Sequence, residues 1–189
     1  MPLRPAEAPE AVRAAAAKHV YQLTSSRGAF VALRNVPREQ LALVAPHRMY
    51  TLGLDSIQRG SLDAAQPSGW RFLITDNSRV LASAETPDDS GELPYVNAGP
   101  YVSSTARAID ELEQLPEVSG SNYELRVLKV PALYVIAAWL VGDTPIVVPL
   151  APTPSFLDAG SRYSEAEFLS ALEDPAQRIL AQQPDESGG

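Results

Sequence analysis

The sequence predicts an α+β fold: a single domain with a mainly antiparallel sheet of about five or six strands and helices packed mainly on one face. Three observations predict it. The stretch 70-WRFLITDNSRVLASAE-85 sets two apolar runs around Asp76-Asn77-Ser78, residues whose side chains turn the chain by bonding the local backbone. The stretch 122–150 holds three strand-like runs in succession. Apolar residues recur at helical spacing near the start, the middle and the end of the chain.

The first element is a helix near 9–26, where Val12, Ala15, Ala16, His19, Val20 and Leu23 form one stripe. Arg13, Lys18 and Gln22 populate the other side, and Gly28 is placed to cap the C-terminus. Phe30 and Ala32, flanked by Val31 and Leu33, suit a short strand. The segment 37-PREQLALVA-45 reads as one or two helical turns with Pro37 at the first position. Met49–Leu54 reads as extended. Asp55 then opens a short helix, three residues before Gln58 as in a capping box, with Gly60 as its stop.

After the hairpin, 86-TPDDSGELPYVNAGPYVSS-104 reads as a long loop rich in proline, glycine and acid, a kind that is often functional. A helix follows near 104–115, closed by Pro116. Of the three later strands, 133-LYVIAAWLV-141 is apolar on both faces, as a covered central strand is. The short 145-PIVVPL-150 suits an edge. At the C-terminus Ser164 and Glu167 form a capping box, and Tyr163 with Phe168 suits the apolar staple around it. Asp174-Pro175 restarts the helix, so two short helices meeting at a bend are expected. Residues 1–182 then form the domain and 183–189 a disordered tail. This element order is similar to that of small α+β domains of the roadblock, longin and profilin-like kind, in order alone and without a shared motif.

Bulk properties narrow the function. The chain has 189 residues, 45% of them hydrophobic, and no cysteine. Disulfides, thiolate metal sites and a cysteine nucleophile are excluded, and a reducing compartment fits. No signal peptide or transmembrane run stands out: the most apolar stretch is 133–141, about half the ~20 residues a bilayer needs. A cytoplasmic, non-membrane protein is expected. The net charge of −8 argues against nucleic acid, which requires clustered cations. Residues 1–80 carry 10 Lys+Arg and 6 Asp+Glu, and the remainder 5 and 17. The halves neutralise one another within one fold, or present opposite faces to partners.

Catalytic patterns are sparse. A serine nucleophile needs a base, and only His19 and His47 exist. There is no G-x-S-x-G, no G-x-G-x-x-G and no P-loop. Two distant histidines make a poor zinc set, and Asp88-Asp89-Ser90-Gly91-Glu92 lacks calcium-loop spacing. No metal or other cofactor is expected. Asp110, Glu111 and Glu113 read as a solvated helix face. The expectation is a non-enzymatic adaptor or assembly protein working through protein contacts, with a second copy of itself, as a homodimer, among the candidate partners. Its contact residues are Arg13, His19 and Val20 on the first helix and Tyr95, Asn97 and Tyr101 on the long loop. The alternative is a small-ligand binder or unfamiliar enzyme with a pocket formed by His47, Tyr50, Asp55 and the 86–104 loop.

Overall fold

The computed structural model describes residues 3–4, 6–25, 30–77, 79–88, 93–119 and 122–182. The expected cap Gly28, the turn residue Ser78, the acidic segment 89–92 and the tail 183–189 lie outside the described residues. The strands are β1 (Leu3–Arg4), β2 (Leu41–Thr51), β3 (Gln66–Asp76), β4 (Val80–Pro87), β5 (Tyr95–Asn97), β6 (Tyr123–Val130), β7 (Val135–Val141) and β8 (Ile146–Pro149). The helices are α1 (Glu10–Ser25), α2 (Leu54–Ile57), α3 (Pro100–Glu113), α4 (Pro116–Ser119) and α5 (Glu165–Leu180).

The fold is α+β on one mixed, mostly antiparallel sheet. Seven strands stand in the order β5-β4-β3-β2-β6-β7-β8, and the two-residue β1 pairs with β6. The strand count therefore exceeds the expected five or six. One extra strand, β5, lies inside the segment read as loop, where pairing with β4 holds Tyr95–Asn97 extended.

The chain runs outward through β2, β3, β4 and β5, each antiparallel to the last. It then returns to place β6 parallel to β2. A parallel neighbour needs a long crossover, and α3 lies in that crossover. On one face α3 brings Ala108 and Leu112 against Leu125, Ala138 and Leu140. The neighbouring positions Leu128, Ala137 and Trp139 face the other way and pack under Phe168, Leu169 and Leu172 of α5. Ala16 and Val20 of α1 cover Phe72, Ile74 and Ala84 on that second face. Helices thus cover both faces, against the expectation of one. The two-sided apolar pattern of 133–141 carries the reason: a strand apolar on both faces needs a cover on each.

Several local expectations are corrected. Val31–Leu33 is a 3-10 turn, with Leu33 N donating to Phe30 O at 2.9 Å, not a strand. Helical structure after Pro37 stops at Gln40, and Leu41–Val44 opens β2 by pairing with β3. Gly53, not Asp55, is the N-cap of α2 and supplies no side-chain cap bond. The C-terminal segment is one helix running through Pro175, because Leu172 and Ala176 on either side are buried against the sheet. Packing of an apolar face outweighs the single lost hydrogen bond.

The Ser164 capping box forms as expected: Ser164 N donates to Glu167 Oε2 at 2.8 Å and Glu167 N to Ser164 Oγ at 3.3 Å. Glu165 Oε1 also accepts from Leu62 N at 2.7 Å, which ties the helix start to the segment beside α2. Ser164→Ala is expected to cost about 1 kcal/mol in urea unfolding, while Ser164→Thr stays within a few tenths. Equal losses in both variants would show that the cap bond is not the cause.

Candidate functional site

Side chains at paired positions of adjacent strands share a face of the sheet. In this sheet His47, Arg71, Glu85 and Tyr95 pair in one row across β2, β3, β4 and β5. An imidazole, a guanidinium, a carboxylate and a phenol thus stand side by side on the face that α3 covers. Arg71 and Glu85 are 2% exposed and His47 is fully buried.

A β-bulge sets His47 in this row. The pairing slips between Val44 and His47, so Ala45 and Pro46 stand where the partner strand has one residue. Pro46 has no N–H and fits an interior strand only at such a place. Ala45 takes a positive φ of 47° to make the bulge. Its carbonyl then lies 2.7 Å from His47 Nδ1. A carbonyl only accepts, so Nδ1 carries the proton and Nε2 holds the lone pair. Nε2 has no partner among the described residues. Burial, helped by the Arg71 charge, lowers the His47 pKa to about 3 against the opposing pull of the Ala45 bond and Glu85.

Arg71 Nε lies 3.1 Å from Glu85 Oε1, close enough for an ion pair but off the line of a hydrogen bond. Arg71 Nη1 donates to Thr105 Oγ1 at 3.3 Å, and Thr105 donates in turn to Tyr101 O at 2.7 Å, so the cluster fastens α3 to β3. Lys129 Nζ and the Tyr95 hydroxyl both donate to Glu85 Oε2. Burial by itself pushes the Glu85 carboxyl up, but Arg71 and Lys129, with the bonds from Lys129 and Tyr95, outweigh it and hold the carboxyl below its usual range. Burial pulls Arg71 below its ordinary value, opposed by Glu85.

The outer end of the cluster reaches the surface. Lys129 is 20% exposed, its Nζ 3.5 Å from the Tyr95 hydroxyl. Val130 and Val135 pair across the tight β6–β7 turn, and Tyr134 at its tip has a positive φ of 55°. Tyr134 is 82% exposed. Its carbonyl accepts from the Tyr101 hydroxyl at 3.4 Å. The Tyr95 ring centroid lies 6.0 Å from Lys129 Nζ, Tyr101 and Tyr134 are joined by their own bond, and Leu93 is exposed two residues before Tyr95.

Of the expected pocket residues, His47 and Tyr95 fall in one row, separated by Arg71 and Glu85. Tyr50 does not join them. It packs edge-on against Trp139 at 5.5 Å on the opposite face, with Arg126 over its ring. Asp55 is exposed on α2. Among the expected contact residues, Val20 is buried in the core beneath α1 and offers no surface. His19 is half-buried, and Arg13 is exposed, stacked over Phe72 with Nη1 donating to Leu43 O. Asn97 is exposed on β5 and Tyr101 half-buried at the start of α3.

Sequence reasoning missed Arg71, Glu85, Lys129 and Tyr134. Symmetry of the hairpin does not reveal the first two: folding about Asn77 sets Arg71 opposite Ser83, and the register shift between Ile74 and Thr75 is what brings it opposite Glu85.

A cleft of about 500 Å³ lies elsewhere, between the β3–β4 turn (Asn77, Arg79) and α3 (Ser103, Asp110). None of His47, Tyr50, Asp55 or Tyr95 lines it. Among the described residues no metal-binding group of three or more His, Cys, Asp or Glu gathers, and no helix is long and apolar enough to cross a membrane. No family model, no curated protein and no solved structure matches this chain.

Proposed function

We propose that this chain is a non-enzymatic adaptor or assembly protein that binds another protein through the tyrosine-rimmed surface around Lys129. The observation that carries this reading is Tyr134. A non-glycine residue at positive φ costs about 1–2 kcal/mol, and this ring recovers nothing by burial within its own chain. Placed against a partner, an exposed tyrosine beside other aromatic and apolar side chains is the usual stuff of a binding hot spot. Leu93 and Asn97, both exposed and two residues to either side of Tyr95, extend the surface along β5, which stands at the end of the sheet.

The buried row speaks for a non-catalytic role. A general base works best with a pKa near the operating pH. His47, held near 3 with its Nδ1 proton engaged by Ala45, is a poor base at neutral pH. Its neighbours Arg71 and Glu85 neutralise each other and fasten α3. The lack of cysteine suits a reducing, intracellular setting.

The test separates binding from folding. Tyr134→Gly relieves the positive φ and is expected to leave stability equal or raise it by up to about 1 kcal/mol. The same change is expected to weaken a purified partner, found by pull-down with mass spectrometry from the native cell, at least tenfold in calorimetry. Light scattering on the pure chain tells whether that partner is a second copy. A variant that binds as wild type does overturns the assignment of the surface.

A further inference from the structure

Two cations and one carboxylate meet at the buried end of this surface. Arg71 holds Glu85 Oε1, and Lys129 and Tyr95 hold Glu85 Oε2. Both oxygens of Glu85 are engaged. A single negative charge is therefore shared between a guanidinium that is 2% exposed and an ammonium that is 20% exposed. His47 adds no charge near neutral pH, and the Tyr95 hydroxyl enters the cluster as a donor to Glu85. The cluster keeps one positive charge in excess, and Lys129 is the member that reaches solvent.

An ammonium has three N–H donors. Glu85 and the Tyr95 hydroxyl take two of them. With poorly polarisable protein on one side, a charge at this position attracts an outside anion more strongly than a lysine free in water does. The Tyr95 ring, its centroid 6.0 Å from Nζ, flanks the position, so an arriving anion meets aromatic surface beside the charge.

We propose that the partner surface presents a carboxylate, flanked by an apolar or aromatic side chain, and that Lys129 receives it. This rests on the reading of the tyrosine-rimmed surface as a binding face, and it adds the chemistry of what binds. The match in charge favours a carboxylate over a phosphate group. One excess positive charge is neutralised by a singly charged anion and over-compensated by a doubly charged one.

The experiment uses the full chain and two capped dipeptides, N-acetyl-Phe-Glu-amide and N-acetyl-Phe-Gln-amide, with backbone amide shifts of Lys129, Asn97 and Tyr134 as readout. The glutamate peptide is expected to bind at least tenfold tighter than the glutamine peptide, a difference of about 1.4 kcal/mol, and the preference is expected to shrink as salt rises. In Lys129→Gln the preference is expected to fall below about twofold. Lys129→Arg keeps the charge and is expected to keep the preference, which separates loss of recognition from loss of fold. Equal binding of the two peptides, a preference that survives Lys129→Gln, or no binding of either overturns the carboxylate assignment. The broader reading of the surface fails on a different result, namely full partner binding by Tyr134→Gly.

Discussion

Replacing Glu85 by glutamine is expected to lower the stability of the fold by about 3–5 kcal/mol, the range for removing one partner of a buried ion pair. Arg71 would keep its charge in a place that is 2% exposed, with its hydrogen bond to Thr105 left in place. Lys129 would also lose its counter-charge, but it reaches water and suffers less. Urea unfolding at pH 7 measures the loss. The double variant Arg71→Met with Glu85→Leu removes both charges and is expected to recover most of it, since paired apolar replacements of similar volume are often neutral or stabilising. A loss under about 1 kcal/mol in Glu85→Gln would show that the guanidinium finds solvent or another acceptor. A double variant as unstable as the single one would show that the network is needed for its geometry and not for its charge balance.

The second large effect is a loss of stability in mild acid. Unfolded, His47 takes up a proton near its ordinary value of 6.5; folded, it does so only near 3. Between those values the unfolded chain binds more protons than the folded one, so stability falls as pH falls. The stabilisation is complete above pH 6.5 and is lost at up to about 1.4 kcal/mol per pH unit on the way down. At pH 4.5 the loss from this one group is roughly 2–3 kcal/mol. Glu85 acts in the same direction but lower. Its folded pKa is depressed, so its contribution is present above the unfolded carboxylate value and is lost only as pH drops through the folded one. The window between pH 6.5 and 5 therefore reports on His47. His47→Asn places an amide N–H near the Ala45 carbonyl and removes the titrating ring. Its unfolding free energy is expected to be flatter across that window than that of the wild type. Identical slopes in the two proteins would show that His47 is not the group responsible.

How much of this was legible depends on how far apart the interacting residues lie in sequence. The Ser164–Glu167 box, the 70–85 hairpin and the helix near 104–115 are made of neighbours, and their side chains carry the signal directly. The start of β2 is different. Leu41–Val44 follows a true helical turn and shares its residue types, and only pairing with β3 draws it into the sheet. The inward turn of His47 depends on Ala45 adopting a positive φ, which alanine does not favour and no local pattern announces. Lys129 reaches Glu85 across 44 residues of chain, after the crossover has brought β6 beside β2. Tyr50 and Asp55, close to His47 in sequence, were for that reason grouped with it. Alternation along β2 sends Tyr50 to the other face, and α2 carries Asp55 into solvent.

By itself the chain determined its local grammar. Caps, turns and apolar periods announce the hairpin, the helix near 9–26, a helix near 104–115 that in fact starts at Pro100, and the helix start at Ser164, and the apolar run at 133–141 points to one strand covered on both faces although helices were expected mainly on one face of the sheet. The tertiary structure decided which charges meet. A strand's side chains alternate between faces with a period of two, so one bulge or one crossover changes every partner beyond it. That is how Arg71, Tyr95 and Lys129, from three strands, come to meet the buried carboxylate of Glu85 on a fourth, with His47 in the same row.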